Sequence, residues 1–173
     1  MRIIKQPQPE NGFPYIAYIP ENVSPTPALI IQLHGAGERG SGGDTLDKVL
    51  VHGFTHVATD DTLTDCILLM PQCPEDSFWN AKTESLKYFI DQFVEKHHSD
   101  TNRIYLCGLS MGGFGTWNTA MAYPDLFAAL APCCGGGMAW NAGTLKIPMW
   151  AFHGREDSVV SVNNTLEFIK QLE

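Results

Sequence analysis

Five stretches of this chain are apolar almost throughout: Ala28–Leu33, Cys66–Met70, Ile104–Cys107, Phe127–Ala131 and Ile147–Phe152. Each is closed at once by proline, by glycine or by a His-Gly pair. Runs this short, with no polar alternation, predict parallel strands buried on both faces. Tyr15–Ile19 alternates and stops at Pro20, which predicts a short strand near a sheet edge. Between the strands the period changes. Leu86, Phe89, Ile90, Phe93 and Val94 recur at helical spacing and predict a helix over Lys82–His97. Phe114–Tyr123 predicts another. Thr45–Val57 predicts a short helix with Leu46, Val49, Leu50 and Phe54 inward. Ser161 is placed to cap a last helix with a stripe of Leu166, Ile169 and Leu172. Buried strands alternating with helices predict an α/β fold: a mostly parallel sheet with helices on both faces.

The 173 residues fit one domain, 1–173, with no repeat and no low-complexity tract. A chain of this length buries roughly 70% of its unfolded surface, enough for a core without staples. The net charge of −8 argues against nucleic acid, whose partners carry basic patches. The five cysteines (Cys66, Cys73, Cys107, Cys133 and Cys134) form no C-x-x-C pair, so neither a zinc site nor a redox motif is expected. They are read as free, mostly buried thiols in a reducing compartment. The start, Met-Arg-Ile-Ile-Lys-Gln-Pro, lacks the apolar core of a signal peptide, and no run is long enough to span a membrane. A cytoplasmic protein is expected.

Three segments fall at the C-terminal ends of expected strands, where open α/β sheets place their sites. The most informative is Gly108-Leu-Ser-Met-Gly-Gly113, between a strand and a helix. That context is what a nucleophile elbow needs: a serine held on a tight strand-to-helix turn, with small neighbours so that the turn closes. Ser110 is the candidate nucleophile, against the plain alternative of a turn serine. An oxyanion hole needs two backbone N–H groups. Met111, after the nucleophile, supplies one. The loop His34-Gly-Ala-Gly-Glu-Arg-Gly40 supplies the other, from Ala36, with Gly37 in reserve. Asp157, in His153-Gly-Arg-Glu-Asp157, stands where a triad acid belongs, although Glu156 is adjacent and an ordinary loop acid is the alternative.

The chain resembles the α/β-hydrolase fold and, within it, the phospholipase/carboxylesterase-like branch. That branch includes predicted esterases and peptidases similar to feruloyl and acetylxylan esterases. The resemblance rests on His34–Gly40, Pro71-Gln-Cys-Pro74, Gly108–Gly113 and Phe152-His-Gly-Arg-Glu-Asp-Ser-Val-Val160, in the family's order and over nearly the whole chain. It implies Ser110 as nucleophile, Asp157 as acid, and Ala36 and Met111 as oxyanion donors. It also implies a place for Trp79 near the acyl pocket, with plain packing as the alternative. It implies no metal and no cofactor.

In this fold the histidine follows the acid along the chain. The residues from Ser158 to Glu173 contain none. Of the six histidines, His34 and His153 lie at strand ends and read as hydrogen-bonding residues. His97 and His98 end a helix, where a cation suits the dipole. His52 and His56, one turn apart, read as a solvated pair rather than a metal site. The expectation is therefore a chain that stops short of the family's last strand and helix. A natural short homologue, inactive or borrowing a histidine, is the alternative. On this reading Ile147–Phe152 is an unpaired apolar edge, and self-association through it is expected. The expected activity is serine carboxylic-ester hydrolysis of a small or carbohydrate-linked ester, weak or absent in this form. The rival is a non-catalytic binding or assembly module.

Overall fold

Six strands form one sheet in the computed structural model, which describes residues 1–172. The strands are β1 (Arg2–Gln6), β2 (Tyr15–Ile19), β3 (Ala28–Leu33), β4 (Cys66–Pro71), β5 (Ile104–Leu109) and β6 (Ala129–Cys133). They lie in the order β1-β2-β4-β3-β5-β6. The last four are mutually parallel, and β1 and β2 run antiparallel at one side. The helices are α1 (Asp60–Leu63), α2 (Thr83–His97), α3 (Met111–Ala122) and α4 (Asn163–Leu172).

The apolar runs divide between two cores because successive side chains of a strand point to opposite faces. Leu29, Ile31, Leu33, Ile67 and Leu69 join one core with Leu86, Phe89, Ile90 and Phe93 of α2, Trp117 of α3 and Phe168 of α4. Leu68 and Met70 point the other way, onto Ile16, Leu46, Val49 and Leu63. The register pairs Leu33 with Gly108. His34 and the Leu109-Ser110 segment therefore leave the sheet side by side, and this positions the site.

Four elements differ from expectation. β1 is exposed and polar in pattern, so it carries no periodic signal; it pairs Arg2 with Ile19 and moves Tyr15–Ile19 in from the edge. The segment expected as a helix over Thr45–Val57 is two 3-10 turns, Gly43–Leu50 and Gly53–His56, separated at Gly53 by a φ of 81°. Phe54, placed beyond that break, is 41% exposed instead of inward. In α4 the inner face is Thr165 and Phe168, while Leu166 is exposed. The stacked contact of Phe168 on Trp117, 4.3 Å between centroids, sets that rotation.

The fourth difference is at Ile147–Phe152. This segment lies parallel to β6 but touches it as two separate bridges, Leu130 to Met149 and Cys133 to Phe152. Leu130 donates to Pro148 O and accepts from Trp150 N–H, Phe152 N–H donates to Pro132 O, and Cys134 N–H donates to Phe152 O. The rung between them would need an N–H at residue 132. Proline has none, so the ladder skips it.

Candidate active site

Ser110 occupies the turn between β5 and α3 with φ 55° and ψ −116°, a strained conformation for a residue with a Cβ. Two glycines make the turn possible. A Cβ on Gly108 would overlap the Gly112 carbonyl, and one on Gly112 would overlap the Leu33 carbonyl. The turn is pinned by Ser110 N–H donating to Cys133 O (2.9 Å) and Phe114 N–H donating to Ser110 O (3.0 Å). Met111 is the first residue of α3, so its N–H is one of the donors that a helix N-terminus leaves free. That terminus also favours negative charge.

The loop from His34 to Gly40 lies against this turn. A Cβ built on Gly35 would stand 3.8 Å from Ser110 Cβ. His34 is buried, and both its ring nitrogens are engaged. Cys73 N–H donates to Nε2 (2.9 Å), which places the ring proton on Nδ1, and Nδ1–H donates to Gly35 O (2.6 Å). Burial lowers the His34 pKa and keeps the ring neutral. The Gly35 carbonyl and the Ala36 N–H belong to one peptide, and with no cis bond present they point in opposite directions. Fixing the carbonyl on His34 therefore turns the Ala36 N–H away from His34. Further along, Arg39 Nε donates to Ala36 O (2.9 Å), and buried Gln72 donates to Glu38 O (3.0 Å) and accepts from Gly42 N–H (2.9 Å). Arg39 and Gln72 lie within the His34–Gly40 and Pro71–Pro74 motifs, but nothing in the sequence assigns either a role in bracing the loop. Gly37 is exposed, with open space where a Cβ would be.

Asp157 lies on the loop after the 147–152 segment. Its Oδ1 accepts from the N–H groups of Val159 and Val160, both at 2.9 Å. These two bonds hold its carboxyl below the usual carboxylate range. Oδ2 is 3.7 Å from His153 Nε2. His153 is nonetheless held: Nε2 donates to Val160 O and Nδ1 meets Thr165 Oγ1, each at 2.8 Å. It tethers the acid loop to α4 and has no nitrogen free to take a proton from Ser110. Cys134, His153 and Asp157 bring one donor atom each within 4.8 Å of one another. Both His153 nitrogens and Asp157 Oδ1 are already engaged in protein hydrogen bonds, so the cluster reads as a brace.

Trp79 is fully buried, and its indole N–H donates to His34 O (3.0 Å). It supports the His34–Gly40 loop from beneath. The aromatic on the open side is its neighbour Phe78. With Asn80, Ala81, Met111 and Phe114 it bounds a cleft of about 480 Å³ beside the elbow. The Arg39 guanidinium sits 5.0 Å above the Phe78 ring. His52 and His56 do not act together: His56 Nε2 donates to Val51 O (2.8 Å), while His52 Nε2 lies 3.9 Å from Glu38 Oε1. Glu38 Oε2 is buried without a partner among the described residues. All five cysteines are free thiols.

No sequence model of a known protein family matches the chain. Individual proteins do. A bifunctional acetylxylan esterase/xylanase of Neocallimastix patriciarum is 27% identical over 159 residues, 88% of this chain and 22% of that protein. Feruloyl esterase B of Thermothelomyces thermophilus is 28% identical over 148 residues, 78% of this chain and 48% of its own length. Among solved structures, a thermostable esterase superposes with a TM-score of 0.77 at 34% identity, covering 99% of this chain and 51% of that one. The chain thus spans about half the length of two of these relatives and about a fifth of the third. The mostly parallel α/β sheet expected from the strand pattern, and the α/β-hydrolase fold that the resemblance implies, are shared with these structures.

Proposed function

We propose that this chain is an esterase-like α/β-hydrolase and carries the nucleophile of a serine carboxylic-ester hydrolase acting on a small or carbohydrate-linked ester. The observation that carries this is Ser110, held at positive φ between two glycines beside the His34–Gly40 loop. Ser110 Oγ attacks the ester carbonyl carbon. The oxygen that gains charge sits between the N–H groups of Ala36 and Met111. The alcohol leaves, and water later releases the acyl group from Ser110. Asp157 would orient an imidazole that takes the serine proton, a group that is not among the residues placed at this site. His34 and His153 do not serve as that base, because their ring nitrogens are held as described. The cleft beside Met111, walled by Phe78 and Phe114, receives the apolar arm of the ester. Acetylxylan and feruloyl esterases among the relatives favour an acetyl or feruloyl ester, in the first case on xylan. Peptides and thioesters share the core machinery and remain the neighbouring substrate classes.

A fluorophosphonate probe and p-nitrophenyl acetate test the reading. Labelling and turnover that vanish in Ser110→Ala support it; a folded sample showing neither supports a non-catalytic binding module. In serine hydrolases, loss of the nucleophile costs on the order of 10⁶ in kcat. We place the protein in a reducing compartment, on the five free thiols. Among the described residues no helix is long and apolar enough to cross a membrane. We also infer that the apolar 147–152 edge pairs with a second copy of the chain.

A further inference from the structure

We propose that a groove along α2 binds a neutral oligosaccharide, with Tyr88 as the platform on which a sugar ring stacks. The proposal rests on the esterase reading only for the choice of the sugars tested.

Three hollows adjoin one another on this side of the molecule. One of about 340 Å³ lies between the Gln6–Gly12 segment and the outer face of α2 from Tyr88 to Lys96. A second, of about 480 Å³, shares Asn11, Gly12 and Tyr88 with it. A third, of about 650 Å³, shares Pro14 and Pro74 with the second and reaches Gly40 and Ser41, at the end of the oxyanion loop. The shared walls make them one track. The Pro74–Lys82 stretch borders this track and also supplies Phe78, Asn80 and Ala81 to the cleft beside Met111. A chain lying in the groove is thereby led to the loop that walls the ester site.

The lining selects the ligand. Tyr88 is 54% exposed, whereas the neighbouring rings of Phe89, Phe93 and Tyr15 are buried and packed on one another. Tyr88 lines both hollows at once. The amides of Gln6, Asn11 and Gln92 line the same hollow, and each can donate and accept. Among the described residues only Gln6 has a side-chain partner, at 3.5 Å. A flat aromatic beside free amides matches a ligand with apolar ring faces and hydroxyl edges. Charge excludes a polyanion: Glu10, Glu75, Asp76 and Glu84 border the track against Lys82 and Lys96.

The test is a calorimetric and NMR titration of the whole chain, and of its Ser110→Ala variant, with xylohexaose and with cellohexaose. Saturable binding in the millimolar range is expected with at least one of them, with amide shifts at Asn11 and Gln92. Tyr88→Ala weakens it about tenfold, while Tyr88→Phe, which keeps the ring, retains it. Absence of saturable binding with both sugars overturns the proposal, and so does equal affinity in Tyr88→Ala. Because binding is read in Ser110→Ala, failure of the esterase reading shows in the activity assay and failure of the groove shows here.

Discussion

His34 Nδ1 lies 2.6 Å from the carbonyl oxygen of Gly35, the next residue in the chain. A side chain bonding the peptide that follows it fixes that peptide's plane, and the Ala36 N–H with it. Removing the ring in His34→Ala leaves the peptide free to rotate and the second oxyanion donor unfixed. Loss of one such donor costs about 10²–10³ in rate. The expected result is that large a fall in Ser110 acylation by p-nitrophenyl acetate, with KM little changed. His34→Asn places an amide nitrogen near the Nδ1 position and recovers part of the rate. Acylation at the parent rate in His34→Ala would detach this histidine from the hole.

Gly112, in the first turn of α3, and Gly37, in the neighbouring loop, predict opposite outcomes. A Cβ at Gly112 would overlap the Leu33 carbonyl and stand 2.8 Å from the His34 carbonyl oxygen, so α3 would be pushed off β3. Gly112→Ala should cost more than about 3 kcal/mol in urea unfolding. Gly37 has nothing within 4 Å of its Cβ position. Gly37→Ala should stay within about 0.5 kcal/mol of the parent. Equal stability of the two variants would contradict the described packing of the elbow.

His97 gives the fold a dependence on acid. Burial pushes its pKa down to about 4, its Nε2 has no partner among the described residues, and its ring stacks on Phe93 at 4.2 Å. The unfolded chain titrates this group at about 6.5. Between those values the unfolded state binds more protons, so stability falls as pH falls. Neutral His34, buried beneath the oxyanion loop, adds to the same trend. A loss of about 2 kcal/mol from His97 is expected between pH 7 and pH 5. Chemical denaturation across that range should show it, and His97→Phe should flatten the curve. An unchanged slope in the variant would assign the dependence elsewhere.

The 147–152 segment predicts association. Trp150 is 72% exposed on it, next to exposed Phe152. The parent chain should scatter light as a dimer or larger. Trp150→Lys, a charge of the kind that blunts natural edges, should return it to monomer. A monomeric parent at high concentration would end the proposal.

Much of this was legible in the chain before any coordinates. Ala28–Leu33, Cys66–Met70 and Ile104–Cys107 announced themselves because burial on both faces leaves no room for polar residues. The Gly108–Gly113 turn did so because only small residues fit around Ser110. What escaped detection depends on partners distant in sequence. β1 is polar and exists by pairing with β2. Phe168 faces inward because Trp117 is there to meet it. Trp79 and Phe78 are neighbours of one type, and nothing in their order tells which becomes a buried prop and which a wall of the cleft.

Pro132 has a consequence for motion. The segment that carries the acid loop hangs from β6 by four backbone bonds with a rung missing between them. Ser110, by contrast, rises from β5, which is paired on both sides. The proposed nucleophile and the proposed acid therefore ride on elements of unequal stiffness. In amide hydrogen exchange the Trp150 and Phe152 protons should be released well before those of Leu106 and Cys107, through local opening. The alignment of the site is then set by how often the acid's support lets go, while the serine stays where the sheet holds it.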